Sequence, residues 1–194
     1  MTDNRDIKFE ESDDPQAKQT NESVYMLYTR DPVRTPFQWD DSKWAGFSTT
    51  ELKTWLPVHA NYKEINLKKQ KADEKSTYKL YQSLIALRKK NHVLQIGGFA
   101  SEALSDNVFG FMRTLAEHNT IAVLVNLGEK ETVSLEKLMG EEFNGDTKAK
   151  ILIVNNNSTF EIGKMIGDVK NIELNAYDAI VLEVSSANTL AISM

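Results

Sequence analysis

The chain has 194 residues, 41% of them hydrophobic and 26% charged, which is material for one domain or one and a half with an ordinary solvent-facing surface. A formal net charge of −5 argues against nucleic-acid binding, which needs clustered Lys and Arg, and the absence of cysteine excludes thiol nucleophiles, disulfides and thiolate metal sites. No apolar run reaches transmembrane length, and the polar, acidic opening is not a signal peptide, so a secretion signal would lie upstream of Met1.

Three unlike stretches follow one another. Residues 1–75 carry all four prolines (Pro15, Pro32, Pro36, Pro57) and all three tryptophans (Trp39, Trp44, Trp55), with poor periodicity throughout. A loop of this length is commonly functional, and its aromatic content argues for an ordered excursion rather than disorder. Glu10, Glu11, Asp13 and Asp14 form an acidic cluster that reads as a solvated loop, since a hard-cation site needs a defined loop geometry as well. Residues 76–91 read as a helix. Ser76 is its N-cap, Leu80, Leu84 and Leu87 with Tyr81 and Ile85 make an apolar stripe, and Arg88, Lys89 and Lys90 complement the dipole in the last turn. Asn91 is expected to end it in a left-handed cap.

Residues 92–194 read as all-β. Strands are expected at Val93–Ile96, Val108–Leu115, Thr120–Leu127, Glu131–Leu135, Lys150–Val154, Asn171–Leu174 and Ala179–Val184, separated by turns such as Gly97-Gly98 and Asn144-Gly145-Asp146. Short strands without long intervening helices predict an antiparallel sandwich. The nearly continuous apolar run from Ile121 to Leu127 predicts a central strand, and Leu135 to Met139 a short turn of helix. Three glycosylation sequons occur, at Asn21, Asn156 and Asn157, and the adjacent pair would rarely both be used.

Little in the chain resembles a catalytic constellation. His59, His92 and His118 stand in no metal-ligand spacing and read as surface or loop histidines; there is no Gly-x-Ser-x-Gly elbow and no phosphate-binding glycine loop. The dense segment is Tyr28-Thr29-Arg30-Asp31-Pro32-Val33-Arg34-Thr35-Pro36-Phe37-Gln38-Trp39-Asp40. Its prolines lower the entropic cost of ordering a loop, and its arginines offer rigid donor forks for carboxylates or sugar hydroxyls. Two readings stand side by side: Arg30 and Arg34 paired with Asp31 and Asp40 as a structural staple, or a carbohydrate site walled by aromatic side chains.

That segment, with Ala45-Gly46-Phe47-Ser48, Trp55-Leu56-Pro57-Val58, Asn61-Tyr62-Lys63-x-x-Asn66 and the helix Tyr81 to Lys90, resembles the α-glucosidases of glycoside hydrolase family 13, the insect maltases in particular. The resemblance runs to about Val184. It implies the tail end of a (β/α)8 barrel over residues 1–91, with the eighth βα loop at 1–75 and the last barrel helix at 76–91, followed by a C-terminal antiparallel β-sandwich at 92–194. The opening Met1-Thr2-Asp3-Asn4 is similar to the residues just after the eighth strand.

The resemblance implies a retaining α-glucosidase acting on maltose, sucrose or short oligosaccharides, extracellular, with no cofactor and no metal. Its nucleophile, general acid and third carboxylate match positions upstream of Met1, so no catalytic residue is carried over, Glu10, Glu11 and Asp31 included. One binding role does carry over: the arginine matching Arg30 reaches the non-reducing glucose and pairs with an aspartate that matches a position upstream of Met1, whereas Asp31, Arg34, Gln38 and Trp39 are left as loop scaffold. The chain alone is expected to be inactive, with 92–194 folding alone and 1–75 mobile in isolation. The alternative is a non-enzymatic relative, such as an amino-acid-transporter heavy subunit or a membrane receptor. Intact Arg30 favours an enzyme, and Ser185–Met194 has no apolar run for a lipid-anchor signal.

Overall fold

The computed structural model describes residues 2–49 and 53–185, so the tail from residue 186, where a lipid-anchor signal was sought, lies outside the described residues. Two compact units divide between Lys79 and Leu80.

The first unit has little regular structure. Among the described residues its α-helices are α1 (Pro15–Lys18) and α2 (Leu67–Ala72), joined by 3-10 turns such as Asp31–Val33, and its buried apolar side chains are few: Ile7, Ala17, Pro32, Pro36, Ala45 and Leu56. Local chemistry starts each helix. Pro15 occupies the first position of α1, where its missing N–H costs nothing, and Asn66 caps α2 by accepting from Lys69 N at 2.9 Å. With so small a core, order comes from buried polar groups that bond across the loop, among them Asn4, Ser12, Asp14, Asp31 and Gln38.

Helix α3 (Thr77–Lys90) occupies the span that its apolar period predicts, and Ser76 Oγ accepts from Lys79 N at 3.2 Å as the expected cap. At its other end the expectation fails. Asn91 is extended (φ −119°) rather than left-handed, and its Oδ1 accepts from Leu94 N at 3.3 Å, starting helix α4 (His92–Ile96) where a strand was expected. Asn91 as cap and Gly97 as stop bracket one helical turn, which outweighs the β-branching of Val93 and Ile96. Within the second unit, Leu80 and Leu87 pack with Val93, Ile121 and Val181, while Tyr81, Leu84 and Ile85 stay exposed.

Antiparallel sheet makes up most of the rest of the second unit. Strands β1 (Gly98–Ala103), β2 (Val108–Thr114), β3 (Thr120–Asn126), β5 (Lys148–Val154), β6 (Met165–Ile166) and β8 (Ala179–Ser185) form one sheet in the order β1-β2-β3-β8-β5-β6, and β4 (Glu131–Val133) pairs with β7 (Ile172–Leu174) in a second. β3 lies in the interior of the larger sheet, as its apolar run requires, and helix α5 (Leu135–Met139) forms where a turn of helix was expected. β1 and β6, which the pattern does not announce, are the two edges. Every residue of β1 is exposed, so nothing selects an alternating apolar pattern there.

Val133, Ile172 and Leu174 of the small sheet share one buried cluster with Leu124, Leu182 and Ile151 of the large one and with Leu135 of α5. Ile151 and Ile153, two residues apart, nonetheless enter different clusters. A register shift between them pairs Ile151 with Leu182 and Ile153 with Val181, and the extra residue turns the second side chain to the other face. The chain thus combines a loop-rich first unit, helices and antiparallel sheet.

Candidate functional site

Arg30 stands at the head of the 3-10 turn Asp31–Val33, opened by Pro32. What holds it is neither Asp31 nor Asp40. The buried Asp31 carboxylate accepts three hydrogen bonds on one oxygen, from Ser12 Oγ (2.7 Å), Asp13 N (2.7 Å) and Asp14 N (3.0 Å). This pins the extended stretch 12–14, with Ser12 at φ −67°, ψ 136° and Asp14 at φ −70°, ψ 119°, and Asp14 reaches Arg30 from it.

Asp14 Oδ2 accepts from Arg30 Nε at 2.7 Å and from Arg30 N at 3.1 Å; its Oδ1 accepts from Arg30 Nη2 at 3.3 Å and from Gln16 N at 2.9 Å. One carboxylate therefore caps α1 and clamps the arginine. Its side chain is 0% exposed and that of Arg30 51% exposed, so one edge of the guanidinium is anchored and the other faces solvent. The Arg30 side-chain hydrogen bond holds the Asp14 carboxyl well below the usual carboxylate range, against the opposing effect of burial, and Asp14 in turn raises Arg30.

Both staple pairings expected from spacing are thus corrected. Arg34 is exposed, and Asp40 is engaged locally, accepting from Ser42 N at 2.9 Å and from its hydroxyl. The acidic cluster is a solvated loop at Glu10 and Asp13 but not at Asp14, which is buried. The Asp14-Pro15 pair carried a legible signal of a helix start, cap followed by proline. Its partner, sixteen residues on, did not.

Gln38 and Trp39 pin the following stretch. Buried Gln38 donates through Nε2 to Asn61 Oδ1 (2.9 Å) and Ile65 O (2.7 Å), while Asn61 Nδ2 donates to Thr2 Oγ1 (2.8 Å). The Trp39 ring lies edge-on to Phe37 at 4.8 Å between centroids, and the Trp39 backbone N–H donates to Ala45 O at 2.9 Å. Trp44, Ala45 and Gly46 all lie in the left-handed region (φ 56°, 55° and 66°). At Gly46 a Cβ would come within 2.7 Å of an Asp40 carboxylate oxygen, so only glycine fits that corner.

His59 accepts from Asn61 N at 3.1 Å and caps a short turn, whereas His92 and His118 are exposed. Among the described residues no group of His, Asp and Glu could hold a metal ion, and no helix is long and apolar enough to cross a membrane. What the first unit offers chemically is a fixed, charged donor fork on a polar-stapled loop.

Residues 1–97 match the family model of the alpha-amylase catalytic domain, and the chain belongs to that family. Maltase 1 of Drosophila virilis is 45% identical over 130 residues, covering 67% of this chain and 20% of that protein. The salivary alpha-glucosidase of Aedes aegypti is 34% identical over 178 residues, 91% of this chain and 30% of its own length. The crystal structure of a trehalulose synthase from Pseudomonas mesoacidophila superposes with a TM-score of 0.72 at 26% identity, covering 92% of this chain and 32% of that one. The chain thus spans between 20% and 32% of the length of these proteins.

Proposed function

We propose that the chain is the C-terminal part of a secreted, retaining α-glucosidase that releases terminal α-linked glucose from maltose, sucrose or short oligosaccharides. Residues 1–91 are the closing segment of a (β/α)8 barrel, with the eighth βα loop at 1–75 and the last helix at 76–91, and residues 92–194 are a C-terminal β-sandwich. Support for this layout comes from the family match over residues 1–97 and from the two sheets that share one buried cluster. Support for the substrate comes from the names of the maltase and α-glucosidase relatives, and for secretion from the salivary one. Retaining hydrolysis needs two carboxyl groups about 5 Å apart flanking the scissile bond. By the family resemblance we assign both to the part of such enzymes that this chain does not span; on that reading the chain alone is inactive, and no catalytic residue is assigned within it.

The observation that carries the reading is the clamped Arg30. Asp14 fixes the Nε edge of the guanidinium, so its open edge meets a glucose ring with little orientational freedom left to lose. In this role Arg30 binds the sugar and orients it; it does not transfer a proton.

The test is glucose release from a chromogenic α-glucoside by this chain and by the protein extended at its N-terminus. Activity is expected only in the extended form. There, Arg30→Ala is expected to lower kcat/KM by about tenfold or more, the scale of one lost charge-assisted hydrogen bond. An unchanged kcat/KM refutes the binding role, and activity in the short chain refutes the placement of the carboxylates.

A further inference from the structure

We propose that Asn21 and Asn157 each carry an N-linked glycan and that Asn156, although it also heads a sequon, does not; the proposal rests on the reading of the protein as secreted. Glycan transfer needs an acceptor amide that faces solvent and a reachable hydroxyl two residues on, and the attached sugar is bulky enough to demand a surface loop. The three sequons differ in these respects.

At Asn21 both residues that are read, Asn21 and Ser23, are exposed. Asn21 Oδ1 accepts from Ser23 N at 3.0 Å and from the Ser23 hydroxyl. The hydroxyl thus sits on the acceptor amide itself, while Nδ2, the atom that would take the sugar, makes no hydrogen bond among the described residues. The site lies between α1 and the 3-10 turn Tyr25–Leu27, so a glycan there interrupts no regular element.

The other two sequons overlap on one turn, closed by Ser158 N donating to Asn155 O at 3.1 Å, with Asn156 and Asn157 at its corners. The turn is anchored at Asn155, whose Nδ2 donates to Tyr177 O (2.9 Å) and whose Oδ1 accepts from Ala179 N (3.0 Å). This anchoring fixes which corner faces out. Asn157 and Thr159 are exposed; Asn156 and Ser158 are half-buried, and the Ser158 hydroxyl accepts from Phe160 N at 3.3 Å. Thr159 Oγ1 accepts from Asn175 Nδ2 at 3.2 Å, which leaves its own proton free to donate. A glycan on Asn157 leaves from the exposed corner of the turn, whereas Asn156 and its Ser158 are the less accessible pair.

The full chain, directed into the secretory route of mammalian cells by a heterologous signal sequence, is digested with peptide N-glycosidase in heavy-oxygen water and mapped by peptide mass. The expected result is labelled aspartate at positions 21 and 157 and none at 156. Ser23→Ala is expected to abolish the label at 21 and to leave that at 157, and Asn156→Gln to change neither. Label at 156 in the unsubstituted chain, or none at 21 or at 157, overturns the proposal. A native protein that carries no glycan, beside a signal-directed chain labelled at both positions, refutes secretion and leaves the two sites standing.

Discussion

Replacing Asp31 with alanine removes one acceptor and strands three donors: the Ser12 hydroxyl and the amides of Asp13 and Asp14. Ser12 and Asp14 are buried and Asp13 is exposed, so water can rescue the middle donor more readily than the other two. At about 1–3 kcal/mol for each of the two buried donors left without a partner, the segment 12–14 should lose roughly 2–6 kcal/mol. The loss is local, because the carboxylate holds a loop rather than a core. The assay is amide hydrogen exchange read at Asp13 and Asp14. A loss of about 2.8 kcal/mol speeds exchange roughly a hundredfold, since each 1.4 kcal/mol is a factor of ten. Asp31→Asn, which can keep one carbonyl oxygen in place, should recover most of the protection. Asp31→Ala should also loosen Arg30, because the pinned segment 12–14 carries Asp14, its partner. In the extended enzyme, Asp31→Ala is therefore expected to raise KM in the same direction as Arg30→Ala. Unchanged exchange at both amides would show that the carboxylate does not hold this segment.

Two further outcomes follow from the same contacts. The folded-state Asp14 carboxyl lies below the ordinary value, so its pairing contributes stability above the unfolded carboxylate pKa of about 3.9 and loses that contribution only as the pH falls below the usual carboxylate range. Its carboxyl carbon should titrate below that range by NMR and move back upward in Arg30→Ala; a midpoint near the ordinary value in the unsubstituted chain refutes the clamp. Leu124→Ala, at a fully buried position of β3 in the cluster shared by both sheets, should cost about 2–5 kcal/mol in urea unfolding of the second unit, and a loss below about 1 kcal/mol would show that the two sheets do not depend on that packing.

The sequence by itself determined what repeats or is local. The apolar period of α3 places that helix within a residue at each end, and the β-branched runs place β3 and β8. The collinear motifs from Arg30 to Asn66 carry the family resemblance, because a long ordered series of specific residues survives any uncertainty about conformation. Short elements needed the tertiary structure. α4 carries a strand-like composition, but the Asn91 cap and Gly97 stop decide it, and β1 and β6 exist because a neighbour offers backbone partners rather than because their side chains demand a strand.

The candidate site divides in the same way. Arg30 is legible as a functional arginine from its motif, and Asp14-Pro15 as a helix start from its chemistry. That the two join, and that Asp31 turns away from Arg30 to gather Ser12 and two amides, was decided only by the folded loop. Nearest-neighbour spacing suggested Asp31 as the partner because it adjoins Arg30 in sequence. A buried carboxylate, however, goes where several donors converge, and three-dimensional closure of a proline-stiffened loop sets that place.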